Sequence, residues 1–496
     1  MAFVYARGVL AGALVLSAAP VFAQTDTADK PTWWAKYQYL AANGPDTCTG
    51  QAGITVGPNV DVSNECGPQS ETFITINPSQ PKTLAAGSNE IFRLPMRGYF
   101  STDAGSTWGG VDLPLPSAKG NGFVFGSDPS LAFDTRGNVF YSYINVYVGR
   151  GQGINGTSMG VSRSTDGGRT YPQFTEFSVS GGSDHFNDKP MIAVDTNLAS
   201  PFRDTVYVAW DAAAGGSSGG GVRFARSVDQ GLTFAVTRID DPHGPGRAIG
   251  AQPFVGPNGE VYAAWNDYAA NTIVFNRSLD GGVTWGQPVV ISSKRLPFEL
   301  AIPAEFSRGA LVYPSCGADR SRGAFRGRLY CSWMDLNAAG NTDILVSSSD
   351  DGGSHWTPAA PPADAIAGVD RFNHWLTVDP ITGDVNVSFY DTRNDTTGSR
   401  FMTDIYFSQS RTGAASFLPN VRITDVSSNE HDCNGVFPCN AIDYGNQTGD
   451  YAGLASFAGV SYPIWTDSRN QLLALPGCRT GLAMEEVFTA AVSSIR

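Results

Sequence analysis

Short runs in which apolar and polar residues alternate, each broken by a Gly- or Asn-containing turn, recur along the chain. They cover 73–76 with 84–86, 130–133 with 138–143, 191–195 with 205–210, and 253–255 with 259–265. Further runs lie at 328–333, 375–379 with 384–390, and 454–457 with 460–465. A two-residue period rich in Val, Tyr, Ala and Trp predicts strand pairs. Seven such units are present, and the first six are each followed by a second motif.

That motif reads Ser101-Thr102-Asp103-Ala104-Gly105-Ser106-Thr107-Trp108. It returns at 164–171, 227–234, 278–285 and, with His355 in place of the Thr, at 349–356. A worn sixth copy keeps Ser410, Ser416 and Phe417 but has Thr412 for the Asp and Ala414 for the Gly. The closing aromatics recur roughly every 50 to 70 residues, the length of one four-stranded antiparallel sheet with its loops. The Asp can accept bonds from the turn's own N–H groups and the Gly can take a positive φ. The boxes are therefore expected to staple hairpins and to touch no substrate.

The chain is predicted to be an all-β propeller of four-stranded antiparallel blades, seven in number, with six and an irregular end as the alternative. The last unit ends at 486–492 with almost no chain left for a fourth strand. Pro58-Asn59-Val60-Asp61-Val62 resembles Pro419-Asn420-Val421-Arg422-Ile423, the segment after the sixth box. An N-terminal strand is thus expected to close the last blade and remove two free sheet edges.

Arg7, the apolar run 9–19 and Val21-Phe22-Ala23 predict a secretory signal at 1–23,. An N-terminal extension at 24–47 and the propeller at 48–496 follow. The product is expected to be secreted or periplasmic, with no transmembrane anchor and as a monomer. A net charge of −13 without a long Lys/Arg cluster argues against a nucleic-acid partner,. Seven cysteines in an exported chain imply disulfides plus one left over,. Nearest-neighbour pairing gives Cys48–Cys66, Cys316–Cys331 and Cys433–Cys439. Cys478 remains alone or replaces a partner of the first pair, since connectivity is not fixed by spacing. No cofactor or metal site is expected, because no ligand spacing suits one.

The repeated box resembles the Asp-box, or BNR-repeat, proteins of the sialidase superfamily, and the resemblance covers nearly the whole mature chain. It implies the propeller fold strongly and an activity only by analogy, because the same box occurs in enzymes and in binding domains. Sialidase chemistry would need three arginines for the sugar carboxylate, a Tyr nucleophile activated by a Glu, and an Asp as acid/base. Phe92-Arg93-Leu94-Pro95 looks like the family's Arg-Ile-Pro signature, but it stands in a strand-two to strand-three connection and reads as a chance match.

Strand polarity places the start of strand one and the end of strand two on the face opposite the boxes. Strand-one starts supply Glu71, Asp128, Asp188 with Lys189, Gln252, Asn373 with His374, and Asp450 with Tyr451. Strand-two ends supply Asp211, Asp267, Asp335, Asp391 and Asp467, the last two followed by Arg393 and Arg469. Clustered carboxylates raise one another's pKa, which yields the protonated acid and ionised base of glycoside cleavage. The candidate catalytic residues are Asp128 and Asp188, with Tyr451 as nucleophile, Glu71 as its activator, and His374 as a base if the reaction is a lyase. Candidate substrate-binding residues are Arg393, Arg469, Lys189, Gln252, Asp391, Asp450 and Asp467. Residues 424–449 are expected to form a flap over the mouth. The reading is an exported sialidase-like exo-glycosidase acting on a glycan. The alternatives are a non-catalytic propeller binding a glycan or envelope protein, and a lyase acting on uronic acids.

Overall fold

The computed structural model describes residues 53–65, 67–149, 153–179, 185–214, 220–241, 246–362, 364–431, 447–469 and 485–494 of the unit Gly50–Arg496. The predicted signal segment, the extension and Cys48, Cys66, Cys433, Cys439 and Cys478 lie outside these residues. The repeats fold into seven antiparallel blades arranged as a β-propeller. The inner strands are Gln69–Ile76, Phe123–Phe133, His185–Val194, Ala248–Val255, Ser315–Ala318, Arg371–Val378 and Leu454–Phe457. Among the described residues there is no helix long and apolar enough to cross a membrane.

The last blade is closed as the sequence implies. Val60–Asp61 pairs with Glu486–Thr489, opposing Val60 to Thr489 and Asp61 to Phe488. Ile54–Val56 pairs with Val492–Ser494 at the same blade. Both ends of the described chain therefore hold one sheet, and the ring has no unpaired junction there.

Burial falls from the axis outward. The second strand of the second blade, Val139–Gly149, is buried on both faces over nine successive residues, whereas the fourth strand Gly109–Asp112 of the first blade alternates between intermediate and exposed. Second strands lose the expected polar face because neighbouring blades stack on it. Trp210, Trp265, Trp333 and Trp465 fill these inter-blade layers. Packing is close enough that a Cβ on Gly87 would lie 2.1 Å from the Tyr141 hydroxyl of the next blade.

The boxes are turn staples. In the first, the Ser101 and Thr107 hydroxyls donate to Asp103 at 2.8 and 2.6 Å, the Thr107 N–H donates to it at 2.9 Å, and Gly105 N–H donates to Ser101 Oγ at 3.0 Å. The worn copy keeps the same scheme, with Thr412 Oγ1 accepting Ser416 N–H at 3.0 Å where the others have a carboxylate. Its Ala414 holds φ 64°. The hydroxyl suffices because the staple needs an acceptor, not a charge. Cys316 and Cys331 face each other in register on the fifth blade and form a disulfide.

Candidate functional site

Five of the seven inner strands carry a β-bulge near their start, between Ser70 and Phe73, Ser127 and Ser130, Asp188 and Met191, Ile249 and Gln252, and Phe372 and Trp375. The first extra residue of each takes a positive φ: Glu71 53°, Asp128 61°, Lys189 54°, Gly250 69° and Asn373 42°. A left-handed conformation is unfavourable for Glu, Asp and Lys, and a bulge re-aims the side chain it carries. Strain of this kind, repeated around a ring, concentrates at sites that act. The boxes lie beyond the far ends of these strands, on the opposite face.

The re-aimed side chains meet across the axis. Lys189 from the third blade donates to Asp450 Oδ2 of the seventh at 3.0 Å, with its ammonium 4.2 Å from the Tyr313 ring centroid and 4.1 Å from that of Tyr451. Asp450 also accepts from Arg308 Nε at 2.6 Å and from the Tyr313 hydroxyl at 3.0 Å. Lys189 and Arg308 thus hold the Asp450 carboxyl below its ordinary value despite its burial,. The Lys189 ammonium is pushed up, as Asp450, Glu71, Asp128 and Asp188 together outweigh its burial.

Asp128 and Asp188 form the second half of the cluster. Asp128 accepts from Ser127 Oγ at 2.8 Å and from Lys189 N–H at 3.2 Å, while its own N–H donates to Asn89 Oδ1 at 2.7 Å. Asp188 is only partly buried and hydrogen-bonds to Asp128. Removal from water and then the charge of Asp128 push the Asp188 carboxyl well above its usual value. Glu71 is raised in the same direction, chiefly by burial, and accepts from Asn89 Nδ2 at 2.7 Å. Asp211, at the end of the adjoining second strand, is raised to about 7 by burial.

The remaining sequence candidates sit elsewhere in the bonding pattern. Tyr451 is buried and its hydroxyl donates to the Pro129 carbonyl at 3.0 Å, and burial with the nearby charge of Glu71 raises its pKa, opposite to nucleophile activation. His374 is the second residue of its bulge. Burial keeps its ring neutral, with a pKa lowered to about 4 against the opposing pull of a hydrogen bond with the Ser332 backbone. Gln252 does not reach the mouth, where Gly250 is the residue in register with the other bulged positions. Gln252 instead clasps the Cys316 backbone of the next blade, accepting at 2.5 Å and donating at 3.2 Å.

Arg393 pairs with Asp391 at 2.7 Å and Asp364 at 3.2 Å and lies over the Tyr406 ring. Asp391 is further held by the buried Arg371 at 2.8 Å. Arg469 pairs with Asp467 at 2.7 Å and with Asp425, over Phe488. Arg93 pairs with Glu65 and Asp112. Among the described residues, none of these three guanidinium groups bonds to the Lys189–Asp450 cluster. Asp267 and Asp335 accept from turn N–H groups.

Two participants had no sequence signal. Arg308 and Tyr313 come from the long connection between the fourth and fifth blades, which carries the two-residue strands Glu299–Leu300 and Ala310–Leu311. It is tied over the cluster by Gln447, whose side chain accepts from the Ser307 and Arg308 N–H groups at 2.8 and 3.1 Å. His431, stacked between Phe306 and Phe401, bonds to the Pro303 carbonyl. Of the expected flap, 432–446 lie outside the described residues, and its two flanks grip this connection.

No protein-family model and no curated protein matches the chain. Among solved structures, the leech intramolecular trans-sialidase is 14% identical, with a TM-score of 0.48, covering 75% of this chain and 72% of that one. The NanB sialidase of Streptococcus pneumoniae is 11% identical, with a TM-score of 0.46, over 75% and 69%. An α-L-arabinanase of Penicillium chrysogenum is 14% identical, with a TM-score of 0.42, over 74% and 93%. The chain is a seven-bladed β-propeller, similar to those of sialidases.

Proposed function

We propose that the chain is an exported glycan-active enzyme, a glycoside hydrolase that takes its substrate at the bulged end of the inner strands. Asp188 is the proton donor and Asp128 the carboxylate that shares its proton. One observation carries this reading: on a residue that is only partly buried, the Asp188 carboxyl lies against a second carboxyl and is pushed well above the ordinary range, as a proton donor requires,. Asp450 remains ionised beside them and Lys189 balances the charge. Arg308, with its side chain 37% exposed, has N–H donors left to meet a sugar hydroxyl or carboxylate,. The glycan as substrate class rests on the resemblance of the boxes; sialic acid in particular has little support, because Arg93, Arg393 and Arg469 are each engaged by their own carboxylates. The Cys316–Cys331 disulfide suits an exported chain,.

The test is turnover of a panel of sialosides, arabinan and uronic-acid oligosaccharides by the wild type and by Asp188→Asn. Loss of about 10²- to 10⁴-fold in kcat is expected for the variant, with wild-type activity falling as pH rises through the Asp188 pKa. Full turnover by Asp188→Asn sinks the assignment. The second reading, a glycan-binding propeller, is favoured by the engaged Tyr451 hydroxyl and stands if a glycan binds without being cleaved. The lyase reading draws little support, as its base His374 is buried in the wall between blades.

A further inference from the structure

The other end of the axis holds a separate cavity of about 1010 Å³, lined by the far halves of all seven inner strands and by the turns that follow them. Its size is at the upper end of small-molecule sites, about 300–1,000 Å³. Phe73 and Trp375, in edge contact at 5.1 Å, are part of its wall, and Trp375 in turn packs on Tyr451 of the polar cluster. Leu131, Phe254 and Leu454 extend the apolar part of the wall, interspersed with neutral polar residues such as Thr75, Thr377 and Ser456. At the rim Leu198 and Ile381 are 72% and 57% exposed.

Charge is distributed in one sense only. In a protein of net charge −13, the charged residues among the described lining are three arginines, Arg320, Arg322 and Arg326, all from the turn between the first two strands of the fifth blade. The carboxylates at this end of the ring are occupied otherwise: Asp134, Asp195, Asp319 and Asp379 are buried and accept from the N–H groups of their own turns. Arg320 reaches from the fifth blade to the third, donating to Thr196 Oγ1 at 2.9 Å, and Arg326 donates to the Pro257 carbonyl at 3.0 Å. These neutral contacts fix the Arg320 and Arg326 guanidinium groups and Arg322 is exposed at the rim; no salt bridge to a carboxylate is made by any of the three among the described residues, with Asp195 an opposing influence on Arg320. Fixed, uncompensated guanidinium groups beside an apolar recess are complementary to an anion that carries an apolar body.

We infer that this channel binds an amphiphilic carboxylate, its hydrocarbon chain running between the inner strands and its carboxylate held at the rim by Arg320 and Arg322. The site is independent of the bulged face and its chemistry. Dodecanoate titrated into the full-length protein, followed by calorimetry and by the fluorescence of Trp375 in the wall, tests it. Saturable one-site binding is expected, with dodecan-1-ol at least about tenfold weaker, since one charge-assisted hydrogen bond corresponds to that factor. The double variant Arg320→Gln/Arg322→Gln should lose about tenfold or more, and Thr377→Trp, which fills the wall, should abolish binding. Should the double variant fail to fold, the comparison of acid with alcohol on the wild type decides. Absence of saturable dodecanoate binding, equal binding of acid and alcohol, or unaltered binding by folded Thr377→Trp overturns the inference.

Discussion

Replacing Lys189 by Met tests whether the polar cluster is a balanced charge system. Asp188 and Glu71 are pushed up, Asp450 is pushed down, and Lys189 and Arg308 are the two cations that face them. Lys189 and Asp450 have side chains 2% and 6% exposed and are 3.0 Å apart. At an effective dielectric constant of about 20 that separation corresponds to roughly 5 kcal/mol of attraction. Breaking a buried pair by removing one partner costs about 3–5 kcal/mol. Arg308 and Tyr313 still hold Asp450 in the variant, which favours the lower end, about 3 kcal/mol. The pH dependence has a definite sign. Lys189 lowers the pKa of Glu71, Asp188 and Asp450, so its loss raises all three in the folded state alone. The folded variant then binds protons that the unfolded chain has released above about pH 4, and its stability falls as pH rises. Urea unfolding of both proteins at pH 5 and pH 8 should show the wider gap at pH 8. A deficit under about 1 kcal/mol at pH 8, or a gap that widens at pH 5, would refute the charge accounting.

Glu90 gives a second pH signature. Burial raises its pKa to about 7 although Tyr99 and Ser88 donate to it. Its folded value lies above the unfolded one, so stability is lost as pH rises from about 4.3 to 7, by about 3–4 kcal/mol in all. Glu90→Gln keeps an acceptor for both hydroxyls and should flatten the stability profile between pH 5 and 8. An unchanged slope in chemical denaturation contradicts this. Cys316 and Cys331 are separated by 15 residues, and opening a loop of that length by the double Ser variant should cost about 3 kcal/mol in urea unfolding,. An unchanged midpoint would show that the paired strands alone restrain this hairpin in the unfolded chain.

What was legible in the sequence was whatever repeats or is local. The box residues bond within five positions of one another, so their pattern specifies each hairpin without reference to the rest of the chain. Once the hairpins recur at blade length, the ring follows. The likeness of 58–62 to 419–423 gave the closing strand because both segments meet the same edge requirement. The face that gathers Asp128, Asp188, Lys189 and Asp450 followed from strand polarity, which is also a local property.

The identities of the partners were not local. Lys189 and Asp450 are 261 positions apart, and Arg308 and Asp450 are 142. No periodicity connects such residues, because their meeting depends on how blades close around an axis. A bulge shifts side-chain direction by one residue, and this explains why Gln252, just past its bulge, and His374, the second residue of its bulge, turn into the walls while Lys189 turns to the axis. The arginines beside Asp391 and Asp467 looked available in sequence, and only three-dimensional packing brought Asp364 and Asp425 against them. By itself the chain's periodicity determined the blade and the ring, since each repeat satisfies its own backbone. The tertiary structure decided which charges neutralise one another, since electrostatic energy depends on distance in space rather than along the chain.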